Sequence, residues 1–530
     1  DTPTARNRAP GGGDPAEDPA RADTVTASAA PSREAEPFNR CVWIVGVVVF
    51  AVLMGLSDRS GFHRDELYML DSARHLSASY VDQGVLAPLM ARVTLTLFGV
   101  SLPGLRLWPA LAAFATVIIG GLTAREFGGT RRAQLLTAVA TGCMPVLLGA
   151  DHIANTTSYM FLACAALALV AARIGRTADP RWWLAGGAIT GIGADDNHLV
   201  AIFAVVLASC ALAFPGARRL VLNWWFAGGA VIALIIFSPD VWWQATHGWA
   251  TFAMTHALNA ENGGSANIVT WMVGQIFDPG LATIWIWPVG LRFLWRSREQ
   301  PLWRALAAAY GVLFLVYALT TGAQSYYVSG LYVALIAAGL VSWDGWLHAR
   351  ADQLRRFLVV LAVTTAVSAL AVLPVLPAAA VAWTYSASPS LGETIGWPQL
   401  VRTVHGVWFS LPPAQRANAV IYASDYGEEG ALNELGRGTG LPAAVGGQNN
   451  DWWWGPGNPR ATTVVVIVPR DQGVAADEAR LRVSFTGVRV AATLSNPDGV
   501  HNIEWGGHVY VCTGPRQPWG QLWPKTRDYE

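Results

Sequence analysis

Long apolar runs alternate with short polar connections from about residue 41 to residue 382. Eleven runs stand out: about 41 to 56, 107 to 124, 133 to 150, 158 to 172, 182 to 194, 199 to 214, 221 to 239, 281 to 295, 305 to 320, 328 to 346 and 357 to 382. A helix needs ~20 apolar residues to cross ~30 Å of hydrocarbon, so the pattern predicts an α-helical polytopic membrane protein with about 11 transmembrane helices. Several runs fall short of that length, which suits a protein that thins the bilayer or opens a cavity into it. Beyond residue 382 the pattern changes to that of a soluble domain. There "ANAVIYAS" and "ATTVVVIVP" read as strands and "GEEGALNELGRGTG" as a helix closed by glycines, together an α/β unit. The predicted organisation is a disordered tail over 1–38, rich in Ala, Pro, Gly and mixed charge, then a transmembrane domain over 39–382 and an α/β domain over 383–530. The mixed charges of the tail and its length ahead of the first apolar run do not suit a cleaved secretory signal. No repeat of fixed period and no Walker-type loop appears.

Composition agrees with a membrane protein: 53% of the residues are hydrophobic, 14% are charged and 25 are Trp. The 36 basic and 36 acidic residues cancel, which leaves no nucleic-acid footprint. Lys525 is the only lysine, so a phosphate in the membrane part must be met by Arg, by backbone N–H groups or by a metal. Cys41, Cys143, Cys164 and Cys210 lie in apolar runs and Cys512 stands alone, which gives no disulfide framework.

Arginines set the predicted orientation. They crowd every second connection, at Arg40, Arg125 to Arg132, Arg173 to Arg181, Arg218 and Arg219, Arg292 to Arg304 and Arg350 to Arg356, which places those connections and the N-terminus in the cytoplasm. The alternate connections then face outward, and an odd number of spans puts the α/β domain outside too. The outward loops carry nearly all the polar chemistry, with Asp151 and His152 opening the second of them. The first (57–104) opens with "FHRDELYML", where His63, Arg64, Asp65 and Glu66 stand side by side next to a span.

Such a quartet is compatible with a plain helix cap, since acidic residues favour a helix N-terminus. The helical periodicity of "LYMLDSARHL" predicts a segment lying along the membrane surface, with Asp65 at its start. Gly84 and Pro88 then let the chain turn back just after Asp82, so two carboxylates can converge on one pocket.

The segments "FHRDELYML", "ARHL" and "YVDQGVLAPLMAR" resemble the first extracytoplasmic loop of bacterial family 39-type glycosyltransferases, relatives of the protein O-mannosyltransferases and of the lipid A aminoarabinose transferase. The likeness extends to "WWQATHGWATF", "SYYVSGLYVALIAAGL", "IGWPQLV", "SDYGEEGAL", "GLPAAVGGQNN" and "WWWGPG". The resemblance implies a GT-C fold in the plasma membrane and sugar transfer from a polyprenyl-phosphate donor to an extracytoplasmic acceptor (a protein, cell-wall glycan or lipid), with inversion. It marks Asp65, Glu66 and Asp82 as the catalytic acids. Asp65 matches the base, Glu66 is a neighbour that positions the loop, and Asp82 either polarises the acceptor or binds a divalent cation, Mg or Mn, with His247.

Candidates for the donor site are His63, Arg64, Gln244, His247, Tyr326, Tyr327, Asp196 and His198. His247 between Trp243 and Trp249, and the paired tyrosines, also fit an interfacial aromatic belt, and Asp240 after Pro239 fits the end of a span. Asp195 to His198 separate two runs so short that the polar group sits below the surface, where it needs a cavity or a partner. Asn197 and Ser325 stand where relatives often have lysine. Trp452 to Trp454, Tyr422 and Tyr426 suit either stacking on sugar rings or a domain core. An ion- or proton-coupled transporter and an inactive scaffold on the same fold are the competing readings.

Overall fold

The computed structural model describes residues 35–261, 265–320, 322–385, 389–469 and 474–529; residues 1–34 of the expected disordered tail lie outside them. The chain order is α1 (Cys41–Leu56), α2 (Arg64–Arg74), α3 (Leu86–Phe98), α4 (Leu102–Glu126), α5 (Arg131–Gly142), α6 (Pro145–Asp151), α7 (Thr156–Thr177), α8 (Trp182–Ala194), α9 (Leu199–Ala213), α10 (Pro215–Val221), α11 (Trp224–Thr246), α12 (Ala250–Glu261), α13 (Ser265–Phe277), α14 (Ile286–Arg296), α15 (Pro301–Leu319), α16 (Ser329–His348) and α17 (Ala351–Val372).

Among the described residues six helical segments are each long and apolar enough to cross a membrane: α4, α7, α11, α15, α17, and α16 with the turn before it from Ser325. The predicted run 133 to 150 is broken instead. Met144 precedes Pro145 and is extended, and α5 and α6 meet there at 56°; taken together they make a seventh span. Other predicted runs form shorter helices, such as α1 with 16 residues and α9 with 15. Helix α16 lies at the centre, with 72% of its apolar window buried inside the protein, against 11% for α11 and 6% for α17, which are left to lipid.

Ion pairs tie the helices at the end away from the first loop. Glu126 of α4 accepts from Arg173 and Arg176 of α7 at 2.7 and 2.6 Å, and Arg132 of α5 meets Asp344 of α16 at 2.9 Å.

After α17 come α18 (Ala378–Thr384), α19 (Pro389–Gly392), α20 (Trp397–Ser410), α21 (Pro413–Arg416), β1 (Ala419–Ala423), α22 (Tyr426–Leu435), β2 (Ala444–Gly446), α23 (Asp451–Trp454), β3 (Thr463–Val468), α24 (Val474–Ser484), β4 (Phe485–Thr493) and β5 (His508–Pro515). The strands form one mixed sheet in the order β2-β1-β3-β5-β4. Strands β1, β2 and β3 run parallel and β5 is antiparallel to both its neighbours. All of β3, "TVVVIV", is buried, as expected of a strand covered on both faces. The strand and helix segments predicted in this region are β1, α22 and β3.

Helix α2 departs from its prediction. Residues Glu66 to Ala73 are all buried inside the protein rather than laid on an open surface. It is clamped between α3 and α22 of the α/β domain, and this packing builds the site.

Candidate active site

The site starts from the cap of α2. His63 is extended, its Nδ1 accepts the Asp65 N–H at 3.2 Å, and its own N–H donates to Glu66 Oε2 at 2.8 Å, a reciprocal capping box. Glu66 is fully buried. Its Oε1 accepts from Arg106 Nε at 2.8 Å and from the Ala154 N–H at 3.0 Å, and its Oε2 also accepts from the Arg106 guanidinium at 2.7 Å. Arg106 spends its remaining N–H groups on the Ser57 and Gly61 carbonyls and the Ser60 hydroxyl, so each of its five donors is used. Burial disfavours the Glu66 charge, but the guanidinium and the two backbone N–H groups outweigh it and hold the carboxyl below its usual range. Glu66, expected among the catalytic acids, has both oxygens committed to holding the loop. Nothing in the sequence singled out Arg106; its one signal was a charge at the edge of an apolar run.

Asp65 points the other way. Its side chain is 37% exposed and its Oδ1 accepts from the Tyr426 hydroxyl of α22 at 2.9 Å. Arg64 stacks over the Tyr426 ring, 5.0 Å from its centroid. Its guanidinium is 3.3 Å from Glu393, 3.5 Å from Asp425 and 4.0 Å from Asp65. The other side of the His63 ring meets Glu393 at 3.0 Å. Burial opposes the imidazolium, but Asp65 and Glu393 more than offset it and raise the His63 pKa. Arg64, expected to meet a phosphate, and His63, expected in the substrate site, are thus already engaged by carboxylates.

Asp82 accepts from Tyr68 at 2.8 Å, and the Tyr68 ring lies 4.9 Å from that of Tyr426. Burial first, and then the nearby Asp65, push the Asp82 carboxyl up to about 6 against the pull of the Tyr68 hydrogen bond. The return of the loop is fixed at Gly84, whose N–H donates to the Asp196 carbonyl at 3.1 Å. A Cβ there would sit 1.6 Å from the Asp195 carbonyl oxygen, so only glycine permits this approach.

A second polar layer lies behind. Asp240 does not end a span: it sits inside α11, accepting from Ser79 at 2.6 Å and facing His198 at 3.1 Å. Gln244, one turn on, donates to the Tyr80 carbonyl at 2.9 Å. Asp196 is fully buried, and neither carboxyl oxygen has a hydrogen-bond partner. Asn197 bonds Thr156 at 3.4 Å, and Ser325 lies against Gly274, where a Cβ would be 2.1 Å from that of the serine. Tyr326 packs edge-on to Tyr327 and stands within electrostatic reach of Asp65.

His247 stacks on Trp243 at 4.0 Å and meets the edge of Trp453 at 4.8 Å, with Nδ1 turned to the Trp243 carbonyl at 2.8 Å. One imidazole nitrogen is thus turned into its own helix, while Asp82 Oδ1 is bound to Tyr68. Among the described residues no three His, Cys, Asp or Glu side chains gather as metal ligands. The three tryptophans resolve toward core and contact. Trp452 and Trp523 exchange hydrogen bonds at 3.2 Å, Trp453 meets α11, and Trp454 stacks on His75 at 4.3 Å.

The described residues share a GT-C fold with solved membrane-protein structures. Residues 82–243 match the family model for dolichyl-phosphate-mannose-protein mannosyltransferase, in accord with the resemblance read from the sequence. The structure of ArnT from Cupriavidus metallidurans bound to undecaprenyl phosphate superposes with a TM-score of 0.58 at 16% identity, covering 89% of this chain and 97% of that one. The apo state of the same protein gives 0.56 at 17% identity with the same coverage. No curated protein matches the sequence significantly.

Proposed function

We propose that this protein is an inverting glycosyltransferase that moves a sugar from a polyprenyl-phosphate donor to an extracytoplasmic acceptor, with Asp65 as the general base. The observation that carries the proposal is the contrast within the capping box: Glu66 is locked by Arg106, whereas Asp65 keeps an exposed carboxylate on a rigid helix start. Undecaprenyl phosphate bound by the similarly folded ArnT supports a lipid-phosphate donor.

The acceptor hydroxyl gives its proton to Asp65 as its oxygen bonds the anomeric carbon. The bond from that carbon to the phosphate oxygen breaks, and the polyprenyl phosphate departs with the electron pair. Phosphate is a good leaving group, so this half of the reaction needs no strong acid. Asp82, His63 and Arg64 shape the field around the base, and Tyr326, Tyr327, Gln244, His247, Asp196 and His198 line the donor side. The chain sits in the plasma membrane as a multi-pass protein, with its N-terminus in the cytoplasm and the α/β domain outside.

The test is sugar transfer by membranes carrying the wild type or Asp65→Asn, with a panel of polyprenyl-phosphate sugars and an extracytoplasmic acceptor fraction. Asp65→Asn is expected to lower transfer by about 100-fold or more at unchanged expression. Equal transfer by both removes Asp65 as base, and no transfer from any donor counts against the enzyme.

A further inference from the structure

We infer that the α/β domain is a working wall of this active site, with Tyr426 as the positioning residue that fixes the Asp65 carboxylate; the inference rests on the transferase reading above. Helix α22 is built for this contact. Its cap repeats that of α2: the Asp425 side chain accepts the Gly427 N–H at 2.6 Å, and Glu428 reaches back to the Asp425 N–H. This fixes Tyr426 as the first helical residue, aimed at α2.

Two glycines then bring the helices to backbone contact. A Cβ on Gly427 would lie 2.7 Å from the Arg64 Cβ, and one on Gly430 would lie 2.6 Å from the Leu67 carbonyl carbon. Only at that separation does the buried Tyr426 hydroxyl reach Asp65 Oδ1 at 2.9 Å, with its ring held between Arg64 and Tyr68.

The chemistry suits a positioning role. A phenol donating to a carboxylate favours the ionised, proton-accepting form and fixes which oxygen is occupied. The carboxylate remains partly exposed, so it stays open to an acceptor hydroxyl. Burial and the neighbouring Asp65 charge hold the Tyr426 proton in place, so the phenol stays a donor throughout the neutral range.

The experiment compares wild type, Tyr426→Phe and Gly430→Val in the transfer assay across pH 5 to 9, with thermal midpoints of the purified proteins. For Tyr426→Phe, kcat is expected to fall about 10- to 100-fold with donor KM unchanged. The acid limb of the pH profile should move to higher pH, because a carboxylate that loses a donor gives up its proton less readily. Gly430→Val, which wedges α22 off α2 without touching the phenol, should reproduce both changes.

A structural role alone would lower the midpoint and leave the acid limb in place. Wild-type kcat and pH profile in Tyr426→Phe, with Asp65→Asn inactive, would overturn this inference and leave the transferase reading intact. A wild type that transfers no sugar overturns the transferase reading and this inference with it.

Discussion

The two flanks of α2 are held by opposite kinds of chemistry. On the membrane flank a fully buried carboxylate, Glu66, is neutralised by a permanent cation that uses each of its five donors. On the flank facing the α/β domain the partners are a phenol, an amide and more acids. Tyr426 meets Asp65, Asn433 donates to Asp71 at 2.6 Å, and Glu429 lies beside Asp451. Arg74 with Glu434 and Arg64 with Asp425 are charged pairs on that side. One flank is indifferent to pH across the physiological range, while the other depends on protons that acids retain only because they are buried.

The largest effect should come from breaking the first flank. Arg106→Ala leaves Glu66 buried without its cation, an arrangement that costs about 3–5 kcal/mol. The expected result is loss of the folded first loop, seen as poor recovery of monodisperse protein and a collapsed thermal midpoint. Wild-type stability would show that the clamp is not what holds the loop. Gly84→Ala comes next, at about 1–3 kcal/mol, because its Cβ would collide with the Asp195 carbonyl oxygen and must push the loop away from the turn between α8 and α9.

The second flank should respond to pH. Burial raises the Glu429 and Asp451 carboxyls well above the usual range, with the Asp71 charge adding to it at Glu429 and the Glu429 charge adding to it at Asp451. Asp71 and Asp82 are each pushed up to about 6, burial again being the largest cause. The unfolded chain releases these protons near pH 4. The folded chain keeps them longer, so it is favoured in acid and loses that advantage as pH rises through the raised values. Glu66, shifted the other way, contributes fully throughout this window. The thermal midpoint is therefore expected to fall from pH 5 to pH 8, and Glu429→Gln with Asp451→Asn should flatten the fall by about 1–2 kcal/mol. A midpoint independent of pH in the wild type would refute the account of proton-holding acids on this flank.

The smallest effect belongs to Tyr68→Phe. It removes one hydrogen bond to Asp82 and should cost about 0.5–1.5 kcal/mol, read as a modest drop in midpoint near neutral pH.

How much of this was legible follows the range of each interaction. The cap of α2 could be read from four adjacent letters because a capping box is completed within three residues. Helix α1 coincides with the run at 41 to 56 for a similar reason, since apolar length is a local property. The break at Pro145 was visible as a residue type, but its 56° bend depends on what packs on each side. Arg106 is 40 residues from Glu66 and Tyr426 is 361 from Asp65, and no periodicity spans such distances. The burial of α2 escaped the sequence because its amphipathic pattern cannot distinguish a membrane surface from the surface of a second domain.

The sequence by itself determined the membrane character, the strands and helix at the heart of the α/β domain, and the acid cluster beside the first span. These are written in hydropathy, turn residues and caps, which act over a few residues. Only the tertiary structure decided which of two adjacent acids is locked and which keeps a partly exposed carboxylate, because that depends on a guanidinium from one side and a phenol from the other. Close approach at Gly84, Gly427 and Gly430 brings those partners in, and steric fit between distant segments is a property of the folded chain alone.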